Sequence, residues 1–539
     1  MLKNLFKCTD RKFLMRALFN DGLRSLLGQT IRIGGFLLDV FQKLRMLRFR
    51  QNQRRLRYKY RIAVDTPVVT YGPRVVESIR HAFVHAGRDA SFALTSGSTG
   101  EPKKILYTRH RLRVLKFTFS DMFARACRVY GWKRTVLYVF SSFQPDASLT
   151  TMLLNENRLP PYAAVLQAPY RVQQHPSIQA LVSEYGAAAV RLWILTLSNP
   201  GVLYATNPST ITNFLDEIQS NWSTYARLVT DWLEHPHRFD RAVRKIARRI
   251  ESRGSAKRLR LVAASNIPLS IQQFAPAVEA YICWTGGYLQ PFLDRLAKHL
   301  PSPRYRLVPM YSMSTETVET ETVFRESNAY FLPLARGVVY EFIKAGDVDR
   351  PENVLTPDQL EPGQTYTMVV SDPYGLRRYQ TGDLFECRRK LNGLPDLVFV
   401  RRRALEYSFI GEKVTAEQLT AVFEQLRAQY PEILGDVFLT CVPSLPRHEM
   451  PHYKIVLISE KTVRSQDLIA TRCDELLGAM NCEYRNKRAN GTLAPIRFTQ
   501  SRPAEFAERF VEGWETQFKF LPLYQRTWES ERSEFSRVS

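Results

Sequence analysis

The spacing of apolar residues predicts alternating helices and strands over most of the chain. Apolar side chains recur every three or four residues in Pro73–Ala86 and again at 112–126, which is the period of a helix with one buried face. Thr108 is a suitable N-cap for the second of these helices. Between them, the short apolar runs 92–94 and 105–107 predict two buried strands.

The same alternation continues to residue 400. The apolar runs 134–140, 191–197 and 260–264 predict strands, and 207–234 predicts one long amphipathic helix. From 324 onwards, short strand-like runs are separated by Gly and Pro turns. We therefore expect an α/β fold with a largely buried sheet.

A second domain is predicted after the basic tripeptide at 401–403. Residues 416–429 and 465–480 have helical spacing, and 452–459 has the pattern of a strand. We divide the chain into a basic amphipathic N-terminal segment at 1–64, a large domain at 65–402 and a small domain at 403–539.

Charge sets the N-terminal segment apart. Residues 1–61 contain 16 Lys and Arg against three Asp, so this segment carries 13 of the 24 net positive charges. One hypothesis is a peripheral contact between residues 1–61 and an anionic membrane. The alternative, which we favour, is a helix packed on the large domain with a solvated basic rim. Nucleic acid is not an expected partner, because no aromatic-basic module of the RRM type is present.

Cysteine usage and hydropathy bear on the compartment. The seven cysteines are scattered, without the spacing of a zinc knuckle or a redox pair. No apolar run approaches the roughly 20 residues of a membrane-spanning helix. We expect a cytoplasmic protein, with membrane association through the N-terminus as the open alternative.

One loop has distinctive chemistry, within FALTSGSTGEPKKIL at 92–106. Its small residues let successive backbone N–H groups point into one concavity, and its hydroxyls and Lys103 add donors and a cation, which suits a polyphosphate. Pro102 breaks the Walker A pattern, which requires Gly-Lys-Ser/Thr at that spacing. By itself the loop is equally compatible with a Ser-Gly surface turn.

Further motifs give the loop a context. TSGSTGEPKK, YSMSTE at 311–316, YQTGD at 379–383 and a hinge-like region at 399–413 ending in Gly-Glu-Lys occur in this order. Together they resemble the motifs of the adenylate-forming superfamily. The resemblance implies an α/β fold with a large N-terminal adenylate-forming domain, its β-sheets flanked by helices, and a small mobile α+β C-terminal domain.

A narrower resemblance is carried by five further motifs. They are TPVVTY at 66–71, NPST at 207–210, WTGG at 284–287, Asn481-x-x-Tyr484-x-x-x-Arg488 with Gly491-x-Leu493, and QFK at 517–519. This set is similar to the Gretchen Hagen family of acyl acid amido synthetases, with its bacterial relatives. The match covers roughly residues 65 to 525, and residues 1–64 lack the family's N-terminal pattern.

The resemblance implies a role for each matching residue. The ATP-binding set would be Thr95, Ser96, Gly97, Ser98, Thr99, Gly100, Lys103, Tyr311, Met313, Asp383 and Arg402. The loop would hold the β- and γ-phosphates, Tyr311 and Met313 would flank the adenine, and Asp383 would accept both ribose hydroxyls. Glu316 would bind magnesium.

Three residues would be catalytic. Thr315 would contact the α-phosphate, and Lys519 would swing in from the small domain to stabilise charge there. Lys413 would supply a second cation at the domain junction. Two departures from the superfamily pattern are Lys104 and Arg401, each at a position where glycine is usual.

The implied activity is adenylation of a small carboxylic acid by ATP and magnesium, followed by acyl transfer to an amine, with an amino acid as the expected acceptor. The products would be AMP and pyrophosphate. An acyl transfer to a thiol, of coenzyme A or a carrier protein, is one alternative. An inactive protein that binds membrane surfaces through the basic N-terminus is another.

Two histidine patterns are set aside. HEMPH at 448–452 has the letters of a zinc protease motif, but its Pro451 is incompatible with the helix that this chemistry needs. His235-Pro-His237 is interpreted as a loop after a helix.

Overall fold

The fold is taken from a computed structural model of the chain. It describes residues 39–86, 90–94, 103–130, 137–141, 143, 149, 152–153, 172–286, 289–310, 314–325, 328–402, 406–409, 412–435, 437–446, 449–463, 466–510 and 520–529.

Helices and strands alternate through the described residues. The helices are α1 Phe49–Lys59, α2 Pro73–Ala86, α3 Arg109–Tyr130, α4 Pro176–Tyr185, α5 Ala187–Ser198, α6 Pro208–Ser220, α7 Trp222–Glu234, α8 Arg241–Ile250, α9 Ser255–Ala264, α10 Ile271–Phe274, α11 Gln290–His299, α12 Ala416–Gln429, α13 Pro431–Leu434, α14 Gln466–Met480, α15 Cys482–Ala489 and α16 Pro503–Phe510. The strands are β1 Ala90–Leu94, β2 Lys104–Thr108, β3 Leu137–Val139, β4 Val202–Tyr204, β5 Ala280–Trp284, β6 Arg306–Met310, β7 Glu321–Arg325, β8 Asn328–Leu332, β9 Val339–Lys344, β10 Thr365–Ser371, β11 Tyr379–Leu391, β12 Leu394–Arg402, β13 Glu406–Tyr407, β14 Val414–Thr415, β15 Phe438–Ser444, β16 His452–Ile458 and β17 Arg497–Ser501.

A parallel sheet lies at the centre of the larger part of the molecule. Its strand order is β3-β4-β5-β6, and each neighbouring pair is parallel. Helices α4 to α9 and α11 contribute to one hydrophobic cluster with the sheet, in which Trp193, Ile194 and Leu203 are fully buried. Helices flanking a buried parallel sheet confirm the predicted α/β class.

Two of the predicted strands are wrong. Residues 191–197 belong to α5 and 260–264 belong to α9. From Ala188 to Ser198 every residue of α5 is buried, so its sequence is apolar all round and lacks the one-sided period that marks a surface helix. The single helix predicted at 207–234 is two helices, α6 and α7, separated at Asn221, while Asn207 caps α6 by accepting from Ser209 N–H.

An antiparallel sheet, ordered β12-β11-β10-β9, stands beside the parallel one. The two approach closely at Gly286, just after β5: a Cβ there would lie 2.9 Å from the carbonyl oxygen of Phe399 in β12, and its φ of +99° also favours glycine. The TPVVTY segment joins this sheet through Val69, which exchanges backbone hydrogen bonds with Arg378 and Gln380. The sheets therefore meet where the predicted motifs lie.

The C-terminal elements form a layer of their own. Strands β15, β16 and β17, with β16 antiparallel to β15 and parallel to β17, pack with α12, α14 and α15 around a hydrophobic cluster drawn from residues 414–523. The predicted helix at 416–429 is confirmed with the same bounds, and the strand at 452–459 and the helix at 465–480 are confirmed to within one residue. The boundary at residue 402 stays a prediction.

No helix within the described ranges combines the length and the apolar character needed to cross a bilayer.

Candidate active site

The small-residue loop is framed by an antiparallel strand pair. Strands β1 and β2 pair in register from Ala90 opposite Thr108 to Leu94 opposite Lys104, so the loop leaves and re-enters the fold at one place. The predicted phosphate-binding residues Thr95, Ser96, Gly97, Ser98, Thr99 and Gly100 lie outside the described residues. Their assignment stays a prediction, and the loop's last cation, Lys103, is described.

Lys103 connects three of the sequence motifs. Its Nζ donates to Glu316 Oε1 at 3.1 Å and to the Tyr379 hydroxyl at 3.1 Å. The ammonium also lies 5.7 Å from the ring centre of Tyr71 and 5.8 Å from that of Tyr379, within the range of a cation–π contact. The loop, the YSMSTE segment, the YQTGD strand and the TPVVTY segment therefore converge on one ammonium group.

Glu316 is held from behind by a buried arginine. The Arg111 guanidinium, 6% exposed, donates to the backbone carbonyl of Glu316 and, at 2.7 Å, to that of Leu106. The same guanidinium lies 3.3 Å from the Asp372 carboxylate. Burial raises the pKa of Asp372, and the Arg111 charge offsets part of this rise. Arg111 thus fixes the backbone that presents Glu316.

Thr315 is positioned in a similar way. The Tyr107 hydroxyl donates to the Thr315 carbonyl at 2.9 Å, and burial raises the pKa of Tyr107 to about 12, so this phenol stays a donor across physiological pH. Tyr107 comes from β2, next to the loop. Tyr311 and Met313, the predicted adenine contacts, lie outside the described residues.

Asp383 lies in β11, where the neighbouring backbone fixes its position. Its N–H donates to Thr381 Oγ1 at 3.2 Å, and the preceding Gly382 has a φ of +80°, which disfavours any residue with a side chain. Across the ladder, Asp383 is in register with Arg402 of β12. Only the backbone of Arg402 is described, so its predicted contact with the nucleotide stays a prediction.

A second carboxyl group lies against Asp383. Glu319 is fully buried, and neither of its carboxyl oxygens has a hydrogen bond of normal geometry within the described residues. Burial, reinforced by the neighbouring Asp383 carboxylate, holds the pKa of Glu319 well above its ordinary value. The raised pKa favours the protonated form of the Glu319 carboxyl.

Lys413 lies in a loop that is clamped through its backbone. Lys413 has a φ of +42°, which is unfavourable for a residue with a side chain, and its side chain is exposed. Asn481 donates through Nδ2 to the carbonyls of Glu412 at 2.8 Å and Lys413 at 3.2 Å. Its Oδ1 accepts from Tyr484 N–H at 2.9 Å, which caps α15.

The neighbouring Glu412 adds a second clamp. Its buried carboxylate accepts from Phe409 N–H at 2.7 Å and from the Tyr453 hydroxyl at 2.6 Å. The unfavourable backbone at Lys413 is thus held from both sides, while its ammonium projects outward.

Lys519 lies outside the described residues, but the chain that follows it is anchored. The Phe520 ring stacks on Phe438 of β15, with centroids 4.9 Å apart, and on Phe292 of α11, 5.7 Å apart. Leu523 forms a parallel bridge with Cys441. The segment that carries Lys519 therefore ends at a contact between the C-terminal layer and the parallel-sheet part, and its catalytic role stays a prediction.

The two histidine patterns are described only in part, since His448 lies outside the described residues. His452 begins strand β16 and is not in a helix, and His235-Pro-His237 runs into a single 3₁₀ turn after α7, as interpreted. Within the described ranges, no cluster of three or more His, Cys, Asp or Glu side chains could hold a metal ion.

Sequence reasoning missed several residues that build the site. Tyr71 and Tyr379 belong to motifs, but those motifs predict no role for their side chains. Arg111, Tyr107 and Glu319 carried no motif signal. Arg111 and Tyr107 act on Glu316 and Thr315 across more than 200 positions of sequence.

Comparisons with known proteins agree with this fold and these motifs. The family model described as "GH3 family N-terminal domain" matches residues 85–304, and the one described as "GH3 family central domain" matches residues 331–402. Together they cover more than half of the chain. The fold is similar to that of a solved GH3.15 acyl acid amido synthetase, with a TM-score of 0.62 and 16% identity over 86% of this chain and 85% of that one. The molecule is thus a mixed α/β protein of that architecture. The chain belongs to the GH3 family.

Curated relatives match over shorter stretches. Indole-3-acetic acid-amido synthetase GH3.8 of Oryza sativa subsp. indica is 27% identical over 156 residues, which is 28% of this chain and 26% of that protein. Indole-3-acetic acid-amido synthetase GH3.3 of Arabidopsis thaliana is 21% identical over 234 residues, which is 42% of this chain and 39% of that protein. The matched regions therefore span well under half the length of these relatives.

Proposed function

We propose that this protein is an ATP-dependent ligase that adenylates a carboxylic acid and transfers the acyl group to an amine. We propose an amino acid as the acceptor. The relatives are named indole-3-acetic acid-amido synthetases, and that name indicates an amide product. The products would be an amide, AMP and pyrophosphate.

One observation carries the proposal. Lys103 Nζ lies 3.1 Å from both Glu316 Oε1 and the Tyr379 hydroxyl, so three motifs distant in sequence meet at one cation. A lysine beside a nearly buried carboxylate, at the mouth of a hydroxyl-rich loop, suits a nucleotide polyphosphate with its metal ion.

The first step joins the acid to the nucleotide. An oxygen of the substrate carboxylate attacks the α-phosphorus of ATP, the bond from that phosphorus to the bridging oxygen breaks, and pyrophosphate leaves. Negative charge grows on the leaving phosphates, where Lys103 and the loop N–H groups would stabilise it. Lys519 and Thr315 would act at the α-phosphate, and Asp383 would hold the ribose.

The residues fit a magnesium ion. Glu316 offers a carboxylate oxygen that is already paired with a cation, and Mg²⁺ is commonly held by one or two carboxylates together with substrate phosphates. When bound there, magnesium would neutralise charge on the phosphates. Lys103, released from Glu316, would then be available to the nucleotide.

The second step forms the amide. The amine nitrogen attacks the carbonyl carbon of the acyl-adenylate, the bond from that carbon to the phosphate oxygen breaks, and AMP leaves while the nitrogen loses a proton. Lys413, exposed at the junction, would supply positive charge close to the departing AMP. No covalent bond to the protein is needed.

The basic N-terminal segment carries a separate hypothesis, that residues 1–61 contact a membrane peripherally. The ligase chemistry does not depend on it, and every residue assigned to that chemistry follows residue 94.

The test is pyrophosphate release by the purified protein across a panel of carboxylic acids with ATP and magnesium, repeated with each amino acid. We expect one class of acid to stimulate release and one or more amino acids to yield an amide. Glu316→Ala and Asp383→Ala should lower acid-dependent pyrophosphate exchange by about a hundredfold or more. Strict dependence on a thiol would replace the amine with coenzyme A or a carrier protein as acceptor.

A surface carboxylate provides the control. Glu352 is well exposed in a 3₁₀ turn, and Glu352→Ala should leave exchange unchanged. Absence of exchange in the wild-type protein with every acid would refute the proposal.

A further inference from the structure

The helix that opens the described chain is fixed to the sheet by one face. Residues 39–47 are helical and lead into α1. Met46 and Phe49 are buried in a cluster with Leu332 and Leu394. Further along, Arg57 pairs with the buried Glu341 at 2.9 Å.

Polar contacts lock the same face. The side-chain amide of Gln53 donates to the Val338 carbonyl at 3.0 Å and accepts from Tyr340 N–H at 3.0 Å. Arg45 pairs with the buried carboxylate of Glu321. These contacts hold the helix with its other side turned away from the sheet, and that side is exposed among the described residues.

The opposite side is apolar at its N-terminal half. Phe41, Leu44 and Leu47 are 57%, 45% and 77% exposed, and Val40 is 41% exposed. Spacings of three and four residues place Val40, Leu44 and Leu47 on one side, and Tyr58, 89% exposed, lies on that line about three turns beyond Leu47. A row of large apolar side chains in water is unusual for a helix whose packing face is already used.

Basic residues surround this row. From 40 to 64 the chain contains no Asp or Glu. The exposed cations are Lys43, Arg48, Arg50, Arg54, Arg55, Lys59 and Arg61. We call the exposed apolar row and these cations together the outer face.

We propose that the outer face docks on an anionic lipid membrane, with the helix lying parallel to the surface. Apolar side chains projecting on one side, flanked by Lys and Arg, are the features of an interfacial helix. Each cation near an anionic leaflet contributes about 1 kcal/mol. This inference is independent of the ligase function.

Charge complementarity selects this occupant over a nucleic acid. Phosphate backbones would satisfy the cations but would leave Phe41, Leu44 and Leu47 in water, whereas a membrane interface accommodates both groups at once. An acidic protein partner would need an apolar groove and acidic flanks, and a second copy of this face would bring like charges together.

The test is co-sedimentation of the full chain with vesicles of phosphatidylcholine alone or mixed with phosphatidylserine. We expect binding to the mixed vesicles at least about tenfold stronger than to neutral ones, and weaker binding as salt is raised. The double variant Leu44→Gln with Leu47→Gln should reduce binding to mixed vesicles about tenfold. The double variant Arg54→Gln with Arg55→Gln should also reduce binding to mixed vesicles, because two positive charges are lost.

Exposed leucines on other helices supply the matched control. Leu261 in α9 and Leu468 in α14 are 43% and 58% exposed. Leu261→Gln with Leu468→Gln should leave vesicle binding unchanged, and all variants should unfold at the wild-type temperature.

Several results would overturn the proposal. One is a wild-type protein that does not co-sediment with the mixed vesicles. Another is binding that survives Leu44→Gln with Leu47→Gln, which would assign it to residues 1–38. Dimerisation that this double variant abolishes, without vesicle binding, would assign the outer face to a second copy. Tight binding to RNA or DNA in place of vesicles would assign it to nucleic acid.

Discussion

Two lysines of the candidate site are positioned in opposite ways. Lys103 is held through its side chain, which donates to Glu316 and Tyr379 and lies near the ring of Tyr71. Lys413 is held through its backbone, which Asn481 clamps in an unfavourable conformation, while its side chain is exposed.

The difference shows what each region contributes. Lys103 depends on partners 213 and 276 positions away, so its place exists only when the whole large part is folded. The Lys413 loop is built mainly by its neighbours and by Asn481 within the C-terminal layer. We propose that the first region, Lys103 and Glu316 with the carboxyl pair Glu319 and Asp383, is a grip for anions that is assembled before the nucleotide binds. The second region, Asn481 and Glu412 around the Lys413 backbone, is a clamp that leaves the Lys413 side chain exposed.

The largest predicted effect tests the preassembled grip. Lys103→Ala should lower acid-dependent pyrophosphate exchange by about a hundred- to a thousandfold, because it removes a cation placed where negative charge develops. Exchange of radiolabel from pyrophosphate into ATP measures this directly.

The adjacent lysine serves as the control. Lys104 is exposed, and only its backbone takes part in the site, with its N–H donating to the Tyr71 hydroxyl at 3.0 Å. Lys104→Ala should therefore retain exchange within about twofold. Equal losses in the two variants would mean that general loop charge, and not the position of Lys103, matters.

A smaller effect is expected where only the clamp on Lys413 is changed. Asn481→Asp keeps the oxygen that caps α15 but removes the N–H donors to the carbonyls of Glu412 and Lys413. Loss of this placement should lower amide formation about tenfold, equivalent to roughly 1.4 kcal/mol, with the KM for ATP unchanged. Lys413→Ala should give a similar loss.

A double-mutant cycle separates placement from folding. If Asn481 acts through Lys413, Asn481→Asp should have less than about a twofold effect in the Lys413→Ala background. Asn490→Asp, at an exposed residue whose side chain accepts from Thr492 N–H, is the matched control and should be silent. Additive losses from Asn481→Asp and Lys413→Ala would show that Asn481 supports the layer as a whole.

Local pattern predicted much of the fold. Helices with one buried face, such as α2 and α12, were predicted with their observed bounds because their period is visible. Helix α5 was mistaken for a strand because a fully enclosed helix has no period. The site was predicted in part because its motifs are short and ordered. No sequence pattern predicted a role for Arg111 or Glu319. Their roles arise only because they are buried beside Glu316 and Asp383 in the fold.

The last prediction compares a buried glutamate in each region. In the grip, burial and the neighbouring Asp383 carboxylate raise the pKa of Glu319 well above its ordinary value, and the Ser314 hydroxyl offsets part of this rise. In the clamp, Glu412 accepts from Phe409 N–H and the Tyr453 hydroxyl. The two sites should respond in opposite directions to replacement by glutamine.

The direction follows from the pKa of Glu319. An acid with a raised pKa in the folded state stabilises the fold fully below its unfolded pKa, and this stability is lost as pH rises toward the folded value. Glu319→Gln cannot ionise, so its Tm should match the wild type at acidic pH and exceed it, on the order of 2 degrees, at alkaline pH. Glu412→Gln should lower Tm at neutral pH, because the Phe409 N–H and the Tyr453 hydroxyl both donate to one carboxylate oxygen of Glu412, and a neutral amide oxygen is a weaker acceptor there. A Glu319→Gln advantage that is absent at alkaline pH would mean that the carboxyl pair of the grip is solvated and is not preassembled.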